Sequence, residues 1–383
     1  MYLPDAIKSY LCSFLTSLKS MSDLYNYIIR NLNLMKTRLN ALTVSVITVL
    51  ALFVVLSSCK KETKQLGIAT YSVKGLESDI EGSFQALADD GYTVMEIWKY
   101  NAGERTAAGY APADYAALAE KYGLDIISSH AGAKVDVNDI EGTLSAWNTV
   151  FDDHKTMGCK YVILPSYSWS NDIEVLNTEC DMLNRLGELA NEKGLMFGYH
   201  NHSIEFAKVP GTDQLYEDFL ITHTDPEKVF FQMDVYWTVF GGQDPVAYLK
   251  KYPDRIKLLH IKDDYVIGES GNIDFKAIFD QFYLNGFKDW FVEMETEMTP
   301  EQIAARKARD EQRRKALEEG PSDPAGPPPA RPVAGDLAGQ GTPPPPPPPP
   351  PAPDPAVIAE QLKTSLEGIR LSAEYLKNAE FVK

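Results

Sequence analysis

Four short apolar runs in this chain end in side chains that bind metals or carry protons, and no other feature constrains the fold as much. Gly194–Glu205 reads Gly-Leu-Met-Phe-Gly-Tyr-His-Asn-His-Ser-Ile-Glu. Val229–Phe231 leads into Gln232, Met233 and Asp234, and Ile256–Leu259 leads into His260, Ile261, Lys262 and Asp263. Trp290–Val292 leads into Glu293, Met294 and Glu295. A strand buried on both faces reads as a short continuous apolar run. If such strands lie side by side and point the same way, their polar ends converge where parallel barrels carry active sites.

The rest of the chain alternates strand and helix patterns. Strands are predicted at Leu66–Val73, Thr93–Trp98, Asp125–Ser129, Tyr161–Leu164, Leu195–His202, Val229–Met233, Ile256–Ile261 and Trp290–Met294. Helices are predicted at Ile80–Asp89, Ala113–Tyr122, Leu144–Met157, Val175–Glu192, Leu215–Ile221, Pro245–Lys251, Phe275–Leu284 and Val357–Asn378. Gly91, Gly123, Gly158 and Gly194 stand just behind four of these helices, where glycine stops a helix. Strict alternation implies a parallel sheet, and eight units favour closure into a single-domain (β/α)8 TIM barrel over residues 66–298, completed by a last helix at 356–383. An open doubly wound sheet fits less well, because no glycine-rich phosphate loop follows the first strand.

Residues 299–355 interrupt the pattern before the last helix. Thr299–Lys315 is charged and helical in character. Pro321–Pro355 is dominated by Pro, Gly and Ala, cannot bury a core, and is expected to be extended or disordered.

The first 65 residues read as an address. Residues 1–34 form an upstream extension, and residues 35–58 combine a basic start with the apolar run Ala41–Leu56. Leu56-Ser57-Ser58-Cys59 resembles a bacterial lipoprotein signal, which implies lipidation at Cys59, a tether over 59–65, and a periplasmic or outer-surface location with membrane contact through the lipid alone. Cys12, Cys59, Cys159 and Cys180 show no paired spacing for zinc or disulfides, and Cys159 and Cys180 read as small apolar fillers. A formal charge of −17 without a basic stripe argues against a nucleic-acid partner, and none is expected.

The polar side chains at the strand ends are Glu96, His130, His200, His202, Asp234, His260, Lys262 and Glu293. Mixed Asp, Glu and His ligands suit one divalent ion: Mn, Co, Zn, Mg or Fe. Each residue also has a plain structural use: Asp234 as a helix cap, Glu96 as a partner for Lys99, Lys262 paired with Asp263 at the rim. Recurrence of Asp234, His260 and Glu293 at three strand ends favours the metal.

The runs Gly-Tyr-His-Asn-His (198–202), Phe-Gln-Met-Asp-Val-Tyr-Trp (231–237), Leu-Leu-His-Ile-Lys-Asp (258–263) and Phe-Val-Glu-Met-Glu (291–295) resemble the xylose isomerase-like barrel family of sugar isomerases and epimerases. In that family a Glu, an Asp, a His and a Glu bind one divalent metal, and the two glutamates exchange protons with the substrate. The resemblance assigns Asp234, His260 and Glu293 to the last three positions. His200 stands where the family has the first glutamate, with His202 and Glu205 as other candidates for that ligand. The change removes one carboxylate base and opens elimination or hydration beside a ketone, as in members resembling inosose dehydratases or lyases on 3-keto-glycosides. Trp237 replaces a histidine that the related DNA-repair endonucleases need.

The resemblance thus implies a metal-dependent isomerase or epimerase acting through an enediolate on a non-phosphorylated sugar or keto-sugar. His200, Asp234, His260 and Glu293 would hold the metal; Glu293, His202 and His200 would move protons; Glu96, Trp98, His130, Asn201, Trp237 and Lys262 would line the sugar pocket. The alternatives are a lyase or hydratase on 3-keto-glycosides and a sugar-binding lipoprotein without turnover.

Overall fold

The computed structural model describes residues 25–27, 64–319 and 354–383. The chain divides into two units, Met1–Lys64 and Gln65–Lys383. In the first, only the helical residues 25–27 and Lys64 are described. The expected extension otherwise, the signal run, Cys59 and most of the proline-rich stretch (321–353) lie outside the described residues.

The second unit is a closed barrel of eight parallel strands with surrounding helices, the (β/α)8 architecture the alternation implies. The staves are β1 (Gly67–Ala69), β2 (Val94–Ile97), β5 (Asp125–His130), β6 (Tyr161–Leu164), β7 (Met196–His200), β8 (Val229–Asp234), β9 (Ile256–Ile261) and β10 (Trp290–Val292). They pair in that order, and β10 returns to β1 with Ile68 opposite Val292. A two-stranded hairpin, β3 (Tyr100–Asn101) and β4 (Thr106–Ala107), lies outside the barrel and had no sequence forecast.

The outer helices are α1 (Ile80–Asp89), α2 (Pro112–Lys121), α3 (Ile140–Thr156), α4 (Ile173–Glu192), α5 (Tyr216–His223), α6 (Val235–Phe240), α7 (Pro245–Lys251), α8 (Phe275–Leu284), α9 (Pro300–Glu319) and α10 (Pro355–Asn378). Aspartate starts many of them. Asp79, Asp139, Asp172, Asp244, Asp274 and Asp354 each accept a backbone N–H of the first helical turn. Each such cap is worth about 1 kcal/mol, so part of the acidity serves the fold. Gly194 closes the turn after α4 at φ +78, a conformation that a β-carbon would strain.

Several ends differ from expectation, and two of them bear on the site. The first strand stops at Ala69 rather than Val73, because the chain turns into a 3-10 helix at Thr70–Ser72 and the Thr70 hydroxyl accepts the Trp98 N–H at 2.8 Å. The fifth stave stops at His200 rather than His202, because the Asn201 side chain takes the Asp234 N–H at 3.1 Å.

Inside the barrel, Ala69, Val94, Tyr161, Ile163, Phe230, Leu258 and Phe291 form a dry plug. Phe230 lies over Gly198, where a β-carbon would come within 2.7 Å of the ring. The larger core lies between staves and helices and includes Trp147, Phe151, Phe197 and Trp290. Cys159 and Cys180 are free thiols buried there. The plug is the floor on which the polar strand ends stand.

Candidate metal centre

β7 ends in His200, β8 in Asp234, and Glu293 directly follows β10. Asp234 is in register with His260 of β9, and the Glu293 N–H donates to the Ile261 carbonyl at 3.0 Å. One ligand atom from each of His200, Asp234, His260 and Glu293 lies within 4.8 Å of the other three, and all four side chains are buried. His130, His200 and His260 satisfy the same limit.

Hydrogen bonds set the direction of each ring. The Glu96 carboxylate accepts from His260 Nε2 at 2.6 Å, from Ser128 Oγ at 2.8 Å and from Gln232 Nε2 at 2.7 Å. A carboxylate only accepts here, so Gln232 turns its NH2 toward Glu96 and its Oε1 toward the imidazoles. Gln232 Oε1 then accepts from His130 Nε2 at 2.7 Å and His200 Nδ1 at 3.0 Å. His200 is left with Nε2 as its lone-pair atom, and His260 with Nδ1 facing the cluster. This arrangement, a ligand imidazole braced through its other nitrogen, is common to metal-binding histidines. A bulge where Met95 meets Glu96 helps turn the glutamate into the barrel.

The charges are strongly coupled. Burial opposes ionisation of Glu293, but Lys262 and then His260 overcome it and hold the carboxyl well below the usual carboxylate range. Burial likewise works against a charged His260, yet Glu96 and Glu293 raise its imidazole to about 10. Burial lifts Asp234 to about 7 against the pull of Lys262. His200 falls well below its ordinary value through burial and its histidine neighbours, and burial with Lys262 lowers His202 to about 4.

Two atoms in the cluster leave a place that a cation could fill. Asp234 Oδ2 and His260 Nδ1 are buried and make no hydrogen bond; Nδ1 is 2.9 Å from Glu293 Oε2 without the angle of one. Such orphans are uncommon and cost about 1–3 kcal/mol each. Two imidazoles with two carboxylates suit Mn, Co, Zn or Fe(II). Asp234 Oδ1 meanwhile accepts the Trp237 N–H at 2.9 Å, so this aspartate caps α6 and faces the cluster at once.

The remaining expected residues separate by depth. Glu96, His130, Asn201 and Lys262 are buried. Asn201 bonds the Asp234 N–H and Thr238, and so braces the backbone around Asp234. Lys262 bridges Glu293 at 2.6 Å and Glu295 at 2.9 Å. His202 and Trp237 line a cleft of about 950 Å³ above the cluster, together with Tyr71, Ser166 and Glu295. Trp98 stands edge-on to Tyr71 at 5.2 Å and is not among the cleft residues. Glu205, left open as a first ligand, accepts from Tyr199 OH at 2.6 Å and the His202 N–H at 2.8 Å. Gln232, Glu295 and Tyr71 were not singled out from the sequence. Gln232 lies two residues before Asp234 on the same face of β8, and Glu295 lies two residues after Glu293, and that spacing was the available signal.

Residues 84–318 match the profile of the xylose isomerase-like TIM barrel family. The chain is 29% identical over 216 residues to an inosose dehydratase from Geobacillus thermodenitrificans, covering 46% of this chain and 71% of that protein. It is 32% identical over 141 residues to one from Clostridium tetani, covering 31% of this chain and 46% of that protein, so it spans under half the length of that relative. Among solved structures, a sugar phosphate isomerase/epimerase from Parabacteroides distasonis is 30% identical with a TM-score of 0.63, covering 84% of this chain and all of that one. A second from the same organism is 28% identical with a TM-score of 0.65, covering 85% and 99%.

Proposed function

The chain belongs to the xylose isomerase-like TIM barrel family, and on that footing we propose that it is a divalent-metal-dependent isomerase or epimerase of a sugar or keto-sugar. The observation that carries this reading is the meeting of His200, Asp234, His260 and Glu293 within 4.8 Å, with two of their atoms orphaned. A divalent cation held by these four side chains would polarise a carbonyl or hydroxyl and lower the cost of an enediolate.

The chain's own groups divide the remaining work. Lys262 ties Glu293 Oε1 and His260 Nδ1 lies 2.9 Å from Oε2, so Oε2 is the atom that faces the cluster and would take a proton beside the carbonyl. Glu293 is held ionised, as a base must be. His202, at the cleft and uncharged near neutrality, is the second proton carrier. Trp237 supplies an apolar wall for the sugar ring. Glu96 and Gln232 act through the histidines by fixing their orientation.

One observation favours a second reading, elimination of water beside a ketone. The cluster holds His200 where a second carboxylate base would stand, and inosose dehydratases are among the relatives. The deciding experiment incubates the manganese-loaded protein with ketoses, keto-glycosides and an inosose in D2O and follows the products by NMR. A new sugar deuterated beside the carbonyl supports isomerisation or epimerisation, and an unsaturated ketone supports elimination. Absence of bound metal and of any exchange refutes both and leaves a sugar-binding role. The Leu56–Cys59 ending supports lipid anchorage outside the cytoplasmic membrane. No helix among the described residues is long and apolar enough to cross a membrane.

A further inference from the structure

Helix α9 brings a row of arginines to the cleft. Arg306, Arg309 and Arg313 line it, with spacings of three and four residues that place them on one helix face. In a chain of net charge −17 this is an unusual concentration of positive charge. Arg306 of this row and its neighbour Arg314 are anchored. The Arg306 guanidinium lies 4.4 Å from the Trp237 ring centre and donates to Glu295 Oε1 at 3.1 Å. Arg314 donates to the Gly241 carbonyl at 2.8 Å, and the Asp310 carboxylate faces Arg314 at 3.7 Å. Arg309 and Arg313 differ from these two. Among the described residues no carboxylate lies within ion-pair distance of either, although both line the same cleft as His202, Ser166 and the carboxylates Glu205, Glu295 and Asp310.

We propose that Arg309 and Arg313 form an oxyanion cradle, and that the substrate is a sugar bearing a carboxylate, or a phosphate in place of the non-phosphorylated sugar expected from the sequence, at the end remote from the metal centre. The inference rests on the sugar reading above and names its substrate class. Two guanidinium forks one helical turn apart match a planar carboxylate or a phosphate group, which accepts two parallel N–H donors from each. The site below is rich in carboxylates, with Glu293 and Glu295 at its edge. An anionic group is repelled from that end and drawn to α9, so the charge fixes which end of the sugar reaches the metal. A neutral sugar lacks this orientation.

The test measures binding of D-glucuronate, D-glucose 6-phosphate and uncharged D-glucose to the manganese-loaded full chain by calorimetry. Glucuronate or the phosphate should bind about tenfold or more tightly than glucose, and the better of the two identifies the anion. The preference should shrink as ionic strength rises. In R309A/R313A the ratio should fall toward one at an unchanged melting temperature, and R309K/R313K should keep part of it. Equal binding of the three sugars, or a ratio untouched in R309A/R313A, overturns the cradle and leaves the sugar reading standing. Failure of all three sugars to bind overturns both.

Discussion

Lys262 Nζ lies 2.6 Å from Glu293 Oε1, and both groups are buried. The ammonium occupies one oxygen of the carboxylate and leaves the other to face His260 and the metal cluster. The residue proposed as both base and ligand is thereby kept ionised.

Breaking that pair should show its worth. Lys262→Met strands a buried carboxylate, which typically costs about 3–5 kcal/mol. Added manganese should then raise the melting temperature of the variant more than that of the wild type, since the cation replaces the lost positive charge. Equal shifts in scanning calorimetry would contradict this assignment.

Asp234 has two duties that one substitution separates. Asparagine keeps the cap on Trp237, because it caps helices as well as aspartate does. Asp234→Asn should therefore fold normally yet lose metal affinity by about 100-fold or more, beyond what an outer partner typically contributes. Metal analysis after dialysis, beside a thermal melt, reads both effects.

Gln232 bridges Glu96, His130 and His200. Gln232→Leu removes the brace without touching a ligand. Metal affinity should fall by roughly 10–100-fold, the range for loss of an outer-shell partner. Titration with a competing chelator gives the number, and an unchanged affinity would show that packing alone holds the rings.

A pH effect on stability is expected from His154, which is buried, donates to the Val150 carbonyl at 2.6 Å and accepts from Ser129 Oγ at 2.9 Å. Burial lowers this imidazole from 6.5 to about 4. The unfolded chain therefore takes up a proton that the folded one refuses, so stability is full above 6.5 and falls as pH drops toward 4. The loss reaches roughly 3 kcal/mol, and His154→Gln should flatten that part of the curve in urea melts at successive pH values.

Anchorage has its own check. A bacterial host fed a labelled fatty acid should label the wild-type chain and not Cys59→Ser. Labelling of both would contradict lipidation at that cysteine.

The barrel was legible because each stave is a short apolar run and most helices close on glycine, features that need no tertiary knowledge. Pro245–Lys251, Ile256–Ile261 and Phe275–Leu284 have the bounds read from the sequence. The convergence of His200, Asp234, His260 and Glu293 was legible for the same reason, since parallel strands leave no other place for their ends. What was not legible depends on contacts across the barrel. Nothing near Glu96 in the chain says that it binds His260 from below, and nothing near Asn201 says that its amide braces Asp234. Helix α6 was missed because Val235–Phe240 is short and apolar but for Thr238, and so short an apolar run reads as more strand.

The seam between β1 and β10 carries a consequence for how the protein comes into being. Glu293 belongs to the stave made last, and that stave must find the one made first before the ring is shut. A chain still emerging from the ribosome holds His200, Asp234 and His260 but lacks the fourth donor and the carboxylate that tethers Lys262. On the metal reading, full loading with a cation would therefore wait for the circle to be completed, which would tie maturation of the centre to ring closure.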